Sequence, residues 1–149
     1  MIDFEVSKLI IANLQDAHET GGPLRAKAMR MLNELPHFDW SGIYRLEGDN
    51  LILDEYTGAA TDHTIIPVGR GVCGTAVAEN ANQKIDDVRD LENYLSCSIE
   101  TRAELVVLIR QEARIIGQID IDSHQVKAFD DSDIHLLERV ATILADRWN

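Results

Sequence analysis

The chain has 149 residues, 45% of them apolar, which suits a single domain over residues 1–149 with a core of its own. Its 14 basic and 26 acidic side chains leave a formal charge of −12, which argues against a nucleic-acid or anionic-membrane partner, because phosphate binding needs a net basic face. No apolar run approaches the roughly 18 residues of a membrane span, "MIDFEVSKLI" lacks the order of a signal peptide, and the two cysteines make no disulfide framework, so a reducing cytoplasm is the expected compartment.

Along the chain, Val6, Ile10, Leu14 and Ala17 share one face of a helix over residues 3–18. "GGP" at 21–23 breaks it, and Pro23 opens a second helix. Leu24, Ala28, Met31, Leu32 and Leu35 recur at helical spacing until Pro36 ends that helix. The period then changes. "WSGIYRLE" and "LILDEY" flank the turn "GDN" and predict a hairpin. Residues 57–70 read as irregular. "VCGTAVAEN" predicts a short helix, "QKIDDV" a brief strand, and "RDLENYL" a loop or one helical turn. "AELVVLIR" and "RIIGQIDIDS" are the strongest strands, joined by "QEA". The last segment, "FDDSDIHLLERVATILADRW", opens with acids and Ser132, as a helix N-terminus prefers. Its expected buried stripe is Ile134, Leu137, Ala141, Leu144 and Trp148. Strands joined by short turns, with helices gathered at the N- and C-terminal ends, predict an α+β fold with an antiparallel sheet.

Several residue groups carry possible chemistry. Asp120 and Asp122 are two apart in a strand, so both leave one face while Ile119 and Ile121 leave the other. That face is either solvated or a carboxylate floor for a cationic group. A metal is the weaker reading, since two carboxylates without a nearby histidine form only a partial set of hard ligands. Glu104 begins the neighbouring strand. It is either exposed or, if the two strands pair as a hairpin, close to the Asp120–Asp122 end. Three crowded carboxylates repel one another, and at least one pKa then rises. Cys73 follows a glycine-bearing loop, and Cys97 stands between Ser96 and Ser98. Each is a packed inert thiol or a reactive one. A thiolate beside three carboxylates is electrostatically disfavoured, so Cys97 needs an N–H nest or bound substrate to ionise. Trp40 and Tyr44, four apart in a strand, are core residues or the apolar wall of a small-ligand pocket. His63 with Cys73 and Cys97 is one ligand short of a zinc site and lacks CxxC spacing, so no metal is assigned.

"IPVGRGVCGTAVAEN", a second cysteine 24 positions after Cys73, then Glu104, "GQIDIDS" and "FDDSD", together resemble the GAF-domain free methionine-(R)-sulfoxide reductases from about Trp40 to the C-terminus. The resemblance implies a GAF-like sheet and thiol-dependent reduction of free L-methionine (R)-sulfoxide. It implies Cys97 as the nucleophile and Cys73 as a partner in disulfide recycling. Glu104, Asp120 and Asp122 would bind the substrate's polar groups, and Trp40 and Tyr44 would line the pocket for its methyl group. Sulfur attack would leave a sulfenic acid on Cys97, which Cys73 would condense to a disulfide for a thioredoxin-like reductant. No cofactor is implied. A homodimer is, and the extra apolar residues Ile2, Phe4 and Ile11 of the first helix offer a contact for it.

Three departures stand out. His63 occupies the position, ten before Cys73, where the family usually carries a third cysteine. Ser98 stands where Asp usually follows the nucleophile, and Tyr94, Leu95 and Ser96 replace His-Ile-Ala. The first bears on recycling, the others on the loop over the pocket. The alternative is a non-catalytic GAF module that binds a small ligand or senses redox state through the two thiols.

Overall fold

The computed structural model describes residues 1–92, 94 and 99–149. Its first helix, α1 (Phe4–Asp16), is capped by the Asp3 carboxylate, which accepts from the Glu5 amide at 2.7 Å. It buries Ile10 and Leu14, as its period requires, but Val6 is 41% exposed. Val6 faces a surface groove beside Met31 and Leu35 rather than the core. The second helix, α2 (Gly21–Leu32), starts two residues before Pro23. Gly21 adopts φ +57°, and its amide donates to the Arg147 carbonyl at 2.8 Å, so the "GGP" run is the first helical turn and not a break before it. Pro23 lies in that turn, where no N–H is needed.

The strands are β1 (Trp40–Glu47), β2 (Asn50–Thr57), β3 (Ile65–Pro67), β4 (Gln83–Ile85), β5 (Ala103–Gln111) and β6 (Arg114–Ser123). They form one sheet in the order β3-β2-β1-β6-β5-β4, antiparallel at every junction. Between β3 and β4 lies α3 (Gly71–Glu79), and a 3₁₀ turn (Val88–Asp90) follows β4. β3 falls in the stretch read as irregular. At three residues it is too short to show an alternation. The chain closes with α4 (Asp131–Asp146), whose N-terminus carries a reciprocal capping box between Asp130 and Asp133.

Alternation along the strands divides the sheet into two faces. Ile43, Leu105, Val107, Ile109, Ile119 and Ile121 point into the larger core, under α2 and α4, with α1 packed on those helices. Trp40, Tyr44, Val106 and Leu108 point the other way, into a smaller core closed by α3 through Val72, Cys73 and Ala76. Of the stripe expected on α4, Leu137, Ala141 and Leu144 are buried, while Ile134 and Trp148 are partly buried against the same core. Among the described residues, no helix is long and apolar enough to cross a membrane.

Candidate functional site

The smaller face carries an unusual concentration of buried polar groups. Gln118, Asp120 and Asp122 project from β6 at period 2, with exposures of 0%, 1% and 2%. Across the hairpin, Glu104 is the register partner of Asp122 and is also buried. Across the other ladder, Trp40 pairs with Asp122, Gly42 with Asp120 and Tyr44 with Gln118. The three carboxylates and two aromatics expected from the sequence therefore share one face.

The α3 helix brings Cys73 onto this face. The Gln118 side-chain amide donates to the Cys73 carbonyl at 3.0 Å, tying the first turn of α3 to β6. Gly74 allows the close approach, because a Cβ there would stand 2.6 Å from the Pro67 carbonyl oxygen. The result puts Cys73 Sγ 3.8 Å from Glu104 Oε2. One ligand-type atom each from Cys73, Glu104 and Asp120 lies within 4.8 Å of the others, all buried. They line a cavity of about 10 Å³, about one water in size, together with His63 and Arg70. The Tyr44 hydroxyl donates to the His63 carbonyl at 2.7 Å and fixes the loop that brings His63 there.

The electrostatics follow from burial. The Cys73 thiol is pushed well above its ordinary pKa, first by burial and then by the charges of Asp120, Glu104 and Asp122. The Asp120 carboxyl is also pushed up, with burial as the cause, while hydrogen bonds from Glu104 and Cys73 act in the opposite sense. The rise expected from crowding is present, but desolvation drives it rather than mutual repulsion. Neither Asp120 oxygen accepts a fixed amide or hydroxyl donor among the described residues. The nearest groups able to share a proton with it are themselves ionisable.

Trp40 is fixed in place. Its indole N–H donates to the Ala59 carbonyl at 2.9 Å, and its ring stacks on Tyr56 with centroids 5.6 Å apart and planes 19° from parallel. The six-membered ring lies over Gly42, the strand partner of Asp120, where an added Cβ would come within 2.3 Å of it. Gln118, Tyr56 and Arg70 were not anticipated from sequence. Only Gln118 had a visible signal, since it extends the Asp120–Asp122 alternation by one step. The remaining expected site residue, Cys97, lies outside the described residues, as do Leu95, Ser96 and Ser98.

Comparison with known proteins agrees with this geometry. The GAF domain family model matches residues 24–147. Free methionine-R-sulfoxide reductase of Escherichia coli strain K12 is 40% identical over 103 residues, covering 69% of this chain and 62% of that protein. The chain thus matches somewhat less than two thirds of that relative's length. The X-ray structure of free methionine-R-sulfoxide reductase from Neisseria meningitidis in complex with its substrate superposes with a TM-score of 0.87 at 32% identity, covering 97% of this chain and 86% of that one. Type II free methionine-R-sulfoxide reductase from Thermoplasma acidophilum superposes with a TM-score of 0.80 at 32% identity, covering 96% and 94%. With a family match over most of its length and neighbours of the same fold at this identity, the chain belongs to the GAF domain family.

Proposed function

We propose that this chain reduces free L-methionine (R)-sulfoxide to L-methionine, as a single GAF domain in the cytoplasm. The observation that supports this best is the convergence of Cys73, Glu104, Asp120 and Asp122 on one buried sheet face beside Trp40. A buried Asp120 carboxyl without a fixed amide or hydroxyl donor suits a cationic group, and the ammonium of a free amino acid is close to the cavity's water-sized space. The apolar wall formed by Trp40 suits a methyl group.

In this reading Cys97 is the nucleophile. Its thiolate attacks the sulfoxide sulfur. The oxygen gains two protons, one of them shared among Glu104, Asp120 and Asp122, and leaves as water. Water then attacks the Cys97 sulfur of the resulting thiosulfonium adduct, breaking its bond to the substrate sulfur and returning a proton. Methionine leaves, the sulfoxide is reduced by two electrons, and Cys97 is oxidised to the sulfenic acid. Cys73 then condenses with that sulfenic acid, forming the disulfide and releasing water. A dithiol protein of the thioredoxin kind accepts the oxidising equivalents by exchange. The raised pKa of Cys73 keeps it a neutral thiol in the reduced protein, which suits a resolving residue better than the first attacking one. With His63 in place of a third thiol, Cys73 is the one resolving partner the chain itself supplies. The active form is a homodimer.

The test is incubation of the protein with free methionine sulfoxide and dithiothreitol, following methionine. Turnover in the parent chain and its loss in Cys97→Ser are expected. No turnover, or full turnover by Cys97→Ser, rejects the scheme.

A further inference from the structure

We propose that the reduced site is also a binding site for a thiophilic divalent cation of the zinc class, held by Cys73, Glu104 and Asp120 with His63 at its mouth, and that this cation competes with the substrate. Strand spacing alone assigns no such site, because Asp120 and Asp122 by themselves are only a partial set of hard ligands. The fold changes the donor set by placing a sulfur and a second carboxylate beside Asp120 and a histidine in the same cavity.

The distances fit the ion. Zinc takes sulfur at about 2.3 Å and carboxylate oxygen at about 2.0–2.2 Å in tetrahedral array, which places neighbouring ligand atoms about 3.5 Å apart. Here the Cys73 sulfur and Glu104 oxygen are 3.8 Å apart, and the whole trio lies within 4.8 Å. Side-chain shifts of a few tenths of an ångström to about 1 Å complete the shell. An independent observation points the same way. Asp120 is 1% exposed, lines the cavity, and neither oxygen accepts from a fixed amide or hydroxyl donor among the described residues, the neighbouring groups being the two other proposed ligands. A buried carboxylate in that state calls for a cationic occupant. The space available, about 10 Å³, fits one ion. On binding, the Cys73 thiol gives its proton to solvent and its sulfur bonds the metal as thiolate. No electron is transferred.

Binding is independent of the reductase reading, whereas competition with methionine sulfoxide rests on it. The chain has two cysteines, so in the Cys97→Ser chain Cys73 is the one thiol left. The metal-free, reduced Cys97→Ser chain is titrated with cobalt(II) and followed in the near ultraviolet. A thiolate-to-cobalt charge-transfer band saturating at one equivalent is expected, and its absence overturns the proposal. Equilibrium dialysis of the parent chain against buffered zinc is expected to retain one zinc per chain, with Asp120→Asn weakening retention at least about tenfold. Retention that is absent, or unchanged in Asp120→Asn, overturns it as adsorption to surface acids. Methionine formation is assayed separately. Turnover without metal binding removes this inference and leaves the reductase, whereas metal binding without turnover does the reverse.

Discussion

Replacing Gly42 by alanine tests whether Trp40 is locked in place or packs adaptably. The new Cβ would lie 2.3 Å from Trp40 Cη2, 2.5 Å from Cζ3 and 3.1 Å from Cζ2. Ordinary carbon contacts begin near about 3.5 Å, so the indole must retreat by about 1.2 Å or more. Its escape is blocked on several sides. Tyr56 stacks on one face, the N–H is held by the Ala59 carbonyl at 2.9 Å, and a Cβ at Gly58 would itself stand only 2.7 Å from Cδ1, so the chain there hugs the ring. Overpacking of this kind costs about 1–3 kcal/mol, and losing the indole hydrogen bond adds about 1 kcal/mol. Urea denaturation of Gly42→Ala is therefore expected to show a loss of about 2–4 kcal/mol, with tryptophan fluorescence altered in the native baseline. If, as proposed, Trp40 forms part of the methyl pocket, KM in the reductase assay should rise more than kcat falls. A loss below about 0.5 kcal/mol, the range of a neutral surface change, with unaltered fluorescence would refute the claim that Trp40 is locked against Gly42.

Two further predictions concern stability. Asp130 caps α4 by accepting from the Ser132 amide at 2.9 Å, and its carboxyl is held down at about 2, chiefly by the Ser132 hydroxyl. Because the folded pKa lies below the unfolded value of about 3.9, the stabilisation is present above that value and disappears as pH falls towards 2. Asp130→Ala is thus expected to be about 1 kcal/mol less stable than the parent at neutral pH. Denaturation curves for the two should converge between about pH 4 and pH 2, and a gap independent of pH would contradict the cap. Arg25 is 8% exposed, donates to Asp54 at 2.5 Å and to the Trp148 carbonyl at 2.6 Å, and covers the Trp148 ring at 4.3 Å. Arg25→Ala is expected to cost about 3 kcal/mol by breaking a buried pair. Arg45→Ala, on the more exposed partner of the same carboxylate, should cost less than about 1 kcal/mol. Equal losses in thermal unfolding would show that burial of Arg25 is not what sets its contribution.

The parts of the site that were legible in the sequence are those fixed by strand period. Asp120 with Asp122, and Trp40 with Tyr44, had to share faces whatever the rest of the chain did. The meeting of Glu104 with these acids was not fixed in that way. At the hairpin tip Gln111 pairs with Arg114 and Arg110 with Ile115, a register that, continued unbroken, would set Glu104 opposite Ile121 on the apolar face. The irregularity between Ile109 and Arg110 shifts the pairing by one residue, so that Glu104 meets Asp122 instead. Gly117, next to this shift, approaches the β1 backbone so closely that a Cβ would lie 2.6 Å from the Tyr44 carbonyl oxygen. No local pattern announces such a bulge. The position of His63 was equally hidden, because a hydrogen bond from Tyr44, 19 residues away in the chain, holds that loop. Val6 failed in the other direction. Its period places it on the helix's apolar stripe, but α1 buries only Ile10 and Leu14 of that stripe, since nothing in the described residues covers its first turn.

The electrostatics also narrow the alternative of a ligand-sensing module. Many small metabolites, nucleotides among them, are anions. Bringing one into a buried space already lined by Glu104 and Asp120, in a chain of net charge −12, adds like charge where solvent cannot screen it. Arg70 at the rim is exposed and gives no buried counter-charge to offset that cost. A cation or a zwitterion entering ammonium-first meets the opposite balance, since its charge satisfies an Asp120 carboxylate that the fold leaves without a fixed donor. The same desolvation that raises the Asp120 pKa therefore selects the sign of the ligand, and it does so whether the occupant is a substrate ammonium or a metal ion.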